Sequence, residues 1–225
     1  MFIGHFALGF AAKRAAPRLS LATLFAAAQL ADLLWPVLVF AGVEQVRIDP
    51  GNTAMTPLDF VSYPYSHSLA TLLVWAVLFA FVAAREPSRA TPWVLMALVV
   101  SHWVLDFVTH RPDLPLYPGG PKLGLGLWNS VAATVAVETA LFAAGLWIYL
   151  RATRARDAIG RWATAALVVV LLASYAGNTL GGAPPSVDAI VIVGLIGGAI
   201  LLALAAWADA HRAASRAVAR QPTSF

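Results

Sequence analysis

The chain contains no cysteine and few charged side chains. Without cysteine, disulfides and thiolate-metal sites are excluded, so a metal ion must be held by histidine, carboxylate or backbone groups. Charged residues make up 12% of the 225 residues and apolar residues 60%, against about 25% and 45–50% in soluble domains. This composition is typical of a protein embedded in a membrane.

The apolar residues form long runs, each able to cross a hydrocarbon core about 30 Å thick. The chain left between these runs is too short for a soluble domain. We therefore predict an all-α, polytopic membrane helical bundle of about six transmembrane helices, with residues 1–208 as a single domain. Residues 1–12 are too short to span, and we expect a half-helix that dips back from the cytoplasmic side or starts at mid-depth. The six predicted spans are residues 19–42, 66–84, 92–110, 129–150, 162–180 and 187–208.

The distribution of Lys and Arg predicts how the bundle is oriented. Twelve of the fifteen fall on one side of the six-span topology, which the positive-inside rule assigns to the cytoplasm. Both termini, including a basic tail at residues 209–225, are then cytoplasmic, and residues 43–65 and 111–128 form outer loops. The net charge of +4 indicates topology and contact with membrane lipids, and we expect no nucleic-acid partner. The twelve are Lys13, Arg14, Arg18, Arg85, Arg89, Arg151, Arg154, Arg156, Arg161, Arg212, Arg216 and Arg220.

The third predicted span carries a stripe of ionisable residues. His102, Asp106 and His110 follow one another at intervals of four residues, so they share one face of a helix. Each such group costs roughly 2.5–3.5 kcal/mol to place in a membrane, and therefore usually faces a partner, water or a metal. Imidazole and carboxylate are ligands that Zn and related ions take. The alternative is a hydrogen bond between helices, and His110 is equally compatible with a solvated position at the membrane interface.

Ionisable residues from separate segments share one depth in the predicted bundle. At 1.5 Å per residue, Asp32, Asp106 and Glu138 lie roughly 20 Å from the cytoplasmic ends of their spans. A set of unrelated structural polar groups would have no reason to share a layer, so we predict a common site in the outer half of the membrane. The histidines of this layer are His5, His67, His102 and His110.

Several of these residues have a simpler interpretation when taken singly. Asp32 alone would be a buried acid paired with an arginine, and His67 alone would be an interfacial histidine beside a helix-capping Ser66. Glu138 is a general base, an acid that orients a ligand histidine, or an acid satisfied by Ser or Thr. His211 lies among arginines, and we expect it to be solvated.

Four short motifs contain these residues: Gly4-His5, Asp32-x-x-x-Pro36, Ser66-His67-Ser68 and Ser101-His102-x-x-x-Asp106-x-x-Thr109. They resemble the motifs of the bacterial membrane-bound metal-dependent hydrolase family. The resemblance covers roughly residues 1–120 and implies a membrane-embedded metal site that hydrolyses an ester or phosphoester in the bacterial inner membrane. The chain departs from the family pattern at Leu34 and Trp35, where the family has Asp and His, and at Ser62-Tyr63, where it has His-Arg. His110 is an additional histidine that would compensate.

We therefore expect an outward-facing metal-dependent hydrolase that acts on a lipid or lipid-linked ester or phosphoester. The cofactor would be a divalent metal ion, Zn first, with Mn and Mg as alternatives. Glu138 would be the catalytic base, and His110, Arg111 and Lys122 would support the ligands or hold the substrate. The predicted metal ligands are His5, Asp32, His67, His102 and Asp106.

Two other functions use the same residues. A metal-ion or proton transporter would need polar groups that continue to the cytoplasmic face, but residues 93–100 below His102 are apolar. A non-catalytic relative would keep a structural metal only. Gly194 and Gly198 form a small-xxx-small pair, which packs helices within the bundle or joins copies in a homo-oligomer.

Overall fold

The computed structural model describes residues 1–84 and 89–215, and helices make up most of them. The predicted all-α membrane bundle is confirmed as a fold class. Arg85, Arg216 and Arg220 of the predicted basic side lie outside the described residues. The helices are α1 (Ile3–Ala12), α2 (Leu21–Ala28), α3 (Leu30–Phe40), α4 (Pro64–His67), α5 (Leu69–Ala83), α6 (Thr91–Thr109), α7 (Val131–Ala152), α8 (Ala158–Leu180) and α9 (Val187–Ala210).

The described helices differ from the six predicted spans in number and in length. By length and hydropathy, α6, α7, α8 and α9 can each cross a membrane. The first predicted span is broken into α2 and α3, which meet at an angle of 61° and bring the total to five if they count as one span. The second predicted span is the 15-residue α5, which at 1.5 Å per residue covers only about 22 Å.

The break between α2 and α3 lies at Gln29, whose backbone (φ −104°, ψ 12°) leaves the helical region. In a continuous helix the carbonyl oxygen of Ala28 would accept a hydrogen bond from the amide of Asp32. The break frees this carbonyl, and a side chain of α6 uses it instead. Asp32 then stands in the first turn of α3, where the chain has just changed direction.

Helix α1 is buried inside the bundle and packs along α7. Gly145 of α7 lies so close to the backbone of Ala7 that a Cβ there would overlap it. Phe10 packs against Phe25 and Tyr149 with ring centroids 4.8 and 5.1 Å apart. The half-helix predicted for residues 1–12 is therefore a core element, and it starts inside the bundle.

Short antiparallel strands close the two ends of the bundle. At the end predicted to be the outer one, β1 (Gln45–Ile48) pairs with β2 (Leu58–Ser62), and β3 (Leu114–Pro115) pairs with β4 (Lys122–Leu123). On the opposite side, β5 (Thr153–Ala155) pairs with β6 (Arg212–Ala214).

The β5–β6 pairing corrects the predicted start of the tail at residue 209. The chain continues as part of the bundle up to residue 215, because Asp209 also accepts hydrogen bonds from Lys13 Nζ, 2.5 Å away, and from the backbone of Leu21. His211 lies 2.8 Å from Asp157 rather than being fully solvated.

Candidate metal centre

The centre of the site is the carboxylate of Asp106, which is buried in the last turn of α6. Its Oδ1 lies 3.1 Å from Nε2 of His5. Its Oδ2 lies 3.2 Å from Nε2 of His102, 3.8 Å from Nε2 of His110 and 3.9 Å from Nε2 of His67. Four of the five histidines of the chain thus surround one acid, as the shared depth predicts.

Asp32 faces the same group of histidines from α3. Its Oδ1 lies 3.4 Å from Nε2 of His67 and 3.7 Å from Nε2 of His102. The side chain of Asp32 is 41% exposed, whereas that of Asp106 is 3% exposed. The site is therefore closed on the side of Asp106 and open on the side of Asp32.

His102 is held in one orientation by the break between α2 and α3. Its Nδ1 lies 2.8 Å from the carbonyl oxygen of Ala28, which can only accept, so Nδ1 carries the proton in the neutral ring. Nε2 is then the unprotonated nitrogen. It is buried, and among the described residues it has no hydrogen-bond partner.

His67 is oriented in the same way through a serine and an acid. Its Nδ1 lies 2.7 Å from Oγ of Ser66, and that hydroxyl lies 2.6 Å from Oε2 of Glu44. Because the Ser66 hydroxyl donates its hydrogen bond to the Glu44 carboxylate, its oxygen is left to accept from Nδ1–H of His67. Glu44 is itself held by the backbone amides of Tyr65 and Ser66, 2.8 and 2.9 Å from its Oε1.

His110, at the end of α6, has the third anchored ring. Its Nδ1 lies 2.9 Å from Oδ1 of Asp113, which also accepts from the hydroxyl of Tyr63. Burial alone would raise the pKa of Asp113, but hydrogen bonds from His110, Arg111 and Tyr63 outweigh it and hold that pKa below its usual value. Burial also raises the pKa of Tyr63 well above its usual range. The phenol therefore stays a donor and Asp113 an acceptor.

The three anchored rings share one consequence. In neutral His67, His102 and His110, the Nε2 lone pairs point toward carboxylate oxygens, so acceptors face acceptors. Either the rings are protonated or a cation lies between them. Anchoring of Nδ1 by a carbonyl, hydroxyl or carboxylate is the usual way in which metal-binding histidines are fixed.

The distances between donors fit a small metal ion. Zn–N and Zn–O bonds of about 2.0–2.2 Å in a tetrahedron put neighbouring donor atoms roughly 3.3–3.6 Å apart. The separations of His67 and His102 from Asp32 and Asp106 range from 3.2 to 3.9 Å. The sets Asp32–His67–His102 and His5–His102–Asp106 each keep their donors within 4.8 Å of one another. These residues could hold a metal ion.

His5 approaches Asp106 from a different direction than His67 does. It meets Oδ1, the oxygen that the α-amino group of Met1 also contacts at 2.5 Å. Oδ2 is therefore the oxygen of Asp106 left for a metal shared with His67 and His102. Met1 lies inside the bundle beside Asp106.

Glu138 of α7 holds the start of α1. Its Oε2 accepts from the backbone amides of Phe2 and Gly4, at 2.8 and 3.2 Å. The first amides of a helix have no partner within the helix, and a carboxylate there satisfies them. Glu138 thus fixes the start of the helix that carries His5. Its predicted roles, as a base or as an acid that orients a ligand histidine, stay predictions.

Arg111 and Lys122 lie in a separate outer cavity of about 440 Å³. The guanidinium of Arg111 is bound to Asp59 at 2.5 Å and to Asp113 at 3.1 Å. Lys122 donates to the carbonyl oxygen of Val61 at 3.2 Å. The structure therefore pairs Arg111 with acids, one of which, Asp113, also anchors His110. Contact of Arg111 or Lys122 with substrate stays a prediction.

Sequence reasoning missed the residues that orient the histidines. Ser66 does not cap α5, because Ser68 does so by accepting from the amide of Thr71. Ser66 instead connects His67 with Glu44, for which no sequence signal was recognised. Asp113 was detectable, since it stands three residues after His110 beside a helix end.

Comparison of the chain with protein-family models, curated proteins and solved structures gives no match.

Proposed function

We propose that this protein is a membrane-embedded, metal-dependent hydrolase of an ester or phosphoester. The observation that carries the proposal is the common orientation of His67, His102 and His110. Each has its Nδ1 anchored by an acceptor and its Nε2 directed at Asp106. Such an arrangement is costly without a cation and is what a metal site requires.

His67, His102 and Asp106 are the buried ligands of the proposed metal, and Asp32 stands at its open side. Three protein ligands with one open position are typical of catalytic zinc sites, whereas structural sites are closed. We propose Zn, with Mn and Mg as alternatives. When bound there, a metal ion would supply Lewis-acid polarisation of the scissile bond and would lower the pKa of a bound water molecule.

The proposed base is Glu138, which lines the same cavity as Asp32 and Asp106. Its Oε2 is used by the backbone of α1. Among the described residues, no hydrogen bond is made to its Oε1, which leaves one oxygen to accept a proton from water. His5 supports the site by its contact with Asp106.

An apolar cluster on the cytoplasmic side of the site favours hydrolysis over transport. Below His102, the buried side chains of Leu95, Leu98 and Val99 pack with Leu24 and Leu72. A transporter needs a polar route that continues past its binding site. A pocket that is closed by apolar side chains on one side and open at Asp32 is more typical of an enzyme than of a transporter.

Elemental analysis of the detergent-purified chain, combined with hydrolysis assays, tests the proposal. We expect about one divalent metal per chain in the wild type and its loss in His102→Ala. His211→Ala is the matched control, because His211 lies at the opposite end of the bundle beside Asp157 and should keep the metal. Chelation should abolish hydrolysis of phosphoester or ester lipids, and re-addition of the metal should restore it.

Two results would contradict the proposal. If wild-type protein binds no metal after purification and after titration with Zn, Mn and Mg, the cluster around Asp106 is not a metal site. A metal-loaded protein that hydrolyses neither ester nor phosphoester, but moves the ion across sealed vesicles, would establish the transport alternative.

A further inference from the structure

A cavity of about 500 Å³ begins at the metal centre and continues between α3, α8 and α9. Its inner end is lined by the polar groups of Asp32, His67, Asp106 and Glu138. The volume falls in the range of about 300–1,000 Å³ that is usual for ligand sites. The candidate metal centre is therefore the polar end of a longer cavity.

The other end of this cavity is apolar and reaches the outer surface of the bundle. It is lined by Ile190 and Val193 of α9, and Val193 is 70% exposed. Val193 lies six residues after the start of α9 at Val187, which corresponds to about 9 Å along the helix. This depth is within the outer half of a hydrocarbon core about 30 Å thick, so the exposed side chain of Val193 borders lipid chains.

Glycines of α8 and α9 keep this passage open. Gly194 and Gly198 pack against Pro36 and Leu33 of α3, which uses the small-xxx-small pair within the chain. Gly197 and Gly177 also line the cavity, but no described atom lies within 4 Å of a Cβ added at either. Small residues in membrane helices usually allow close packing, and here two of them border empty space.

We propose that this cavity binds the hydrocarbon chain of a membrane lipid, with the ester or phosphoester of that lipid at Asp32. The inference rests on the proposed function and narrows its substrates to lipids of the leaflet nearest the outer loops. One extended chain suits a space that runs from Val193 to the metal centre.

Photocrosslinking of the full chain in lipid vesicles tests this proposal. The probe is phosphatidylglycerol with a diazirine in its acyl chain, diluted into phosphatidylglycerol vesicles. We expect labelling of Leu201, which lines the cavity and is only 8% exposed. Lipid that merely surrounds the bundle would label Ile192 and Ile196, which are 55% and 57% exposed, and leave Leu201 unlabelled.

Filling the passage should block this labelling. In Gly197→Leu we expect labelling of Leu201 to fall about tenfold, which corresponds to about 1.4 kcal/mol of binding free energy. Gly177→Leu, on the facing helix, should have the same effect and provides an independent test. Ala199→Leu is the matched control, because Ala199 is exposed on the same helix and does not line the cavity.

Labelling confined to exposed residues, or unchanged in both glycine variants, would overturn the proposal. A disulfide formed between two copies of Gly197→Cys protein would also overturn it. His102→Ala should lose the metal and keep the labelling of Leu201, so failure of the hydrolase hypothesis leaves the cavity intact. Conversely, if Gly197→Leu protein hydrolyses long-chain lipid at the wild-type rate, the cavity does not bind the lipid chain, whereas the proposed hydrolase activity stands.

Discussion

The imidazole rings of His5 and His102 are stacked, with centroids 3.7 Å apart and planes 3° from parallel. Two protonated rings at this separation would repel each other strongly. The stacking therefore favours the neutral state for at least one of them, and neutral imidazole is the form that binds metals. Since His5 belongs to α1 and His102 to α6, the contact also joins the N-terminal helix to the site.

The two serines that flank His67 should behave differently when mutated. Ser66→Ala removes the acceptor of His67 Nδ1–H, and we expect metal affinity to fall about 10–100-fold. Ser68→Ala removes a helix cap instead and should cost about 0.5–2 kcal/mol of stability with little change in metal affinity. Chelator competition and thermal unfolding measure the two effects. Equal metal affinity in both variants would show that the Ser66–Glu44 pair does not orient a ligand.

Two substitutions at Glu138 separate its structural role from its proposed catalytic role. Glu138→Ala leaves the amides of Phe2 and Gly4 without an acceptor, at a cost of about 1–3 kcal/mol for each unsatisfied group. Glu138→Gln keeps an acceptor oxygen, so melting temperature and metal content should stay near wild type. Turnover should nevertheless fall by about 10²–10⁴-fold if Glu138 is the base. Full activity in Glu138→Gln would show that Glu138 is not the base and that it only holds the start of α1.

The close contact of α1 with α7 depends on Gly145. In Gly145→Val the added Cβ would overlap the backbone of Ala7, whose carbonyl carbon is 2.7 Å from that position. We expect a loss of about 1–3 kcal/mol from overpacking, and displacement of His5 on the same helix. Gly177→Ala is the control, since no described atom lies within 4 Å of its added Cβ. Its unfolding temperature should be unchanged or slightly higher.

The absence of cysteine from the sequence allows a direct test of the predicted orientation. Pro118 is exposed in the outer β3–β4 loop, and Arg154 is exposed at the opposite end of α7. The charge distribution predicts that Pro118→Cys reacts with an impermeant thiol reagent in intact cells, and that Arg154→Cys reacts only after lysis. The reverse labelling pattern would show that the bundle has the opposite orientation, with the candidate metal site facing the cytoplasm.

The sequence by itself determined the class of this protein and predicted the residues of its candidate site. Composition and apolar runs leave few structures other than a helical membrane bundle, because hydrocarbon requires internally bonded backbone. The cost of ionisable groups in hydrocarbon singled out Asp32, His67, His102 and Asp106. The structure brings these residues together.

The tertiary structure decided the roles that depend on direction. Helical spacing tells which face carries His102, but not that a break at Gln29 presents the carbonyl of Ala28 to its Nδ1. Nor does spacing show that Glu44 reaches His67 through Ser66, or that Asp59 neutralises Arg111. These contacts join residues far apart in the chain. Depth along a helix can be counted from the sequence, whereas rotation about its axis and the partner of each nitrogen depend on how the helices pack.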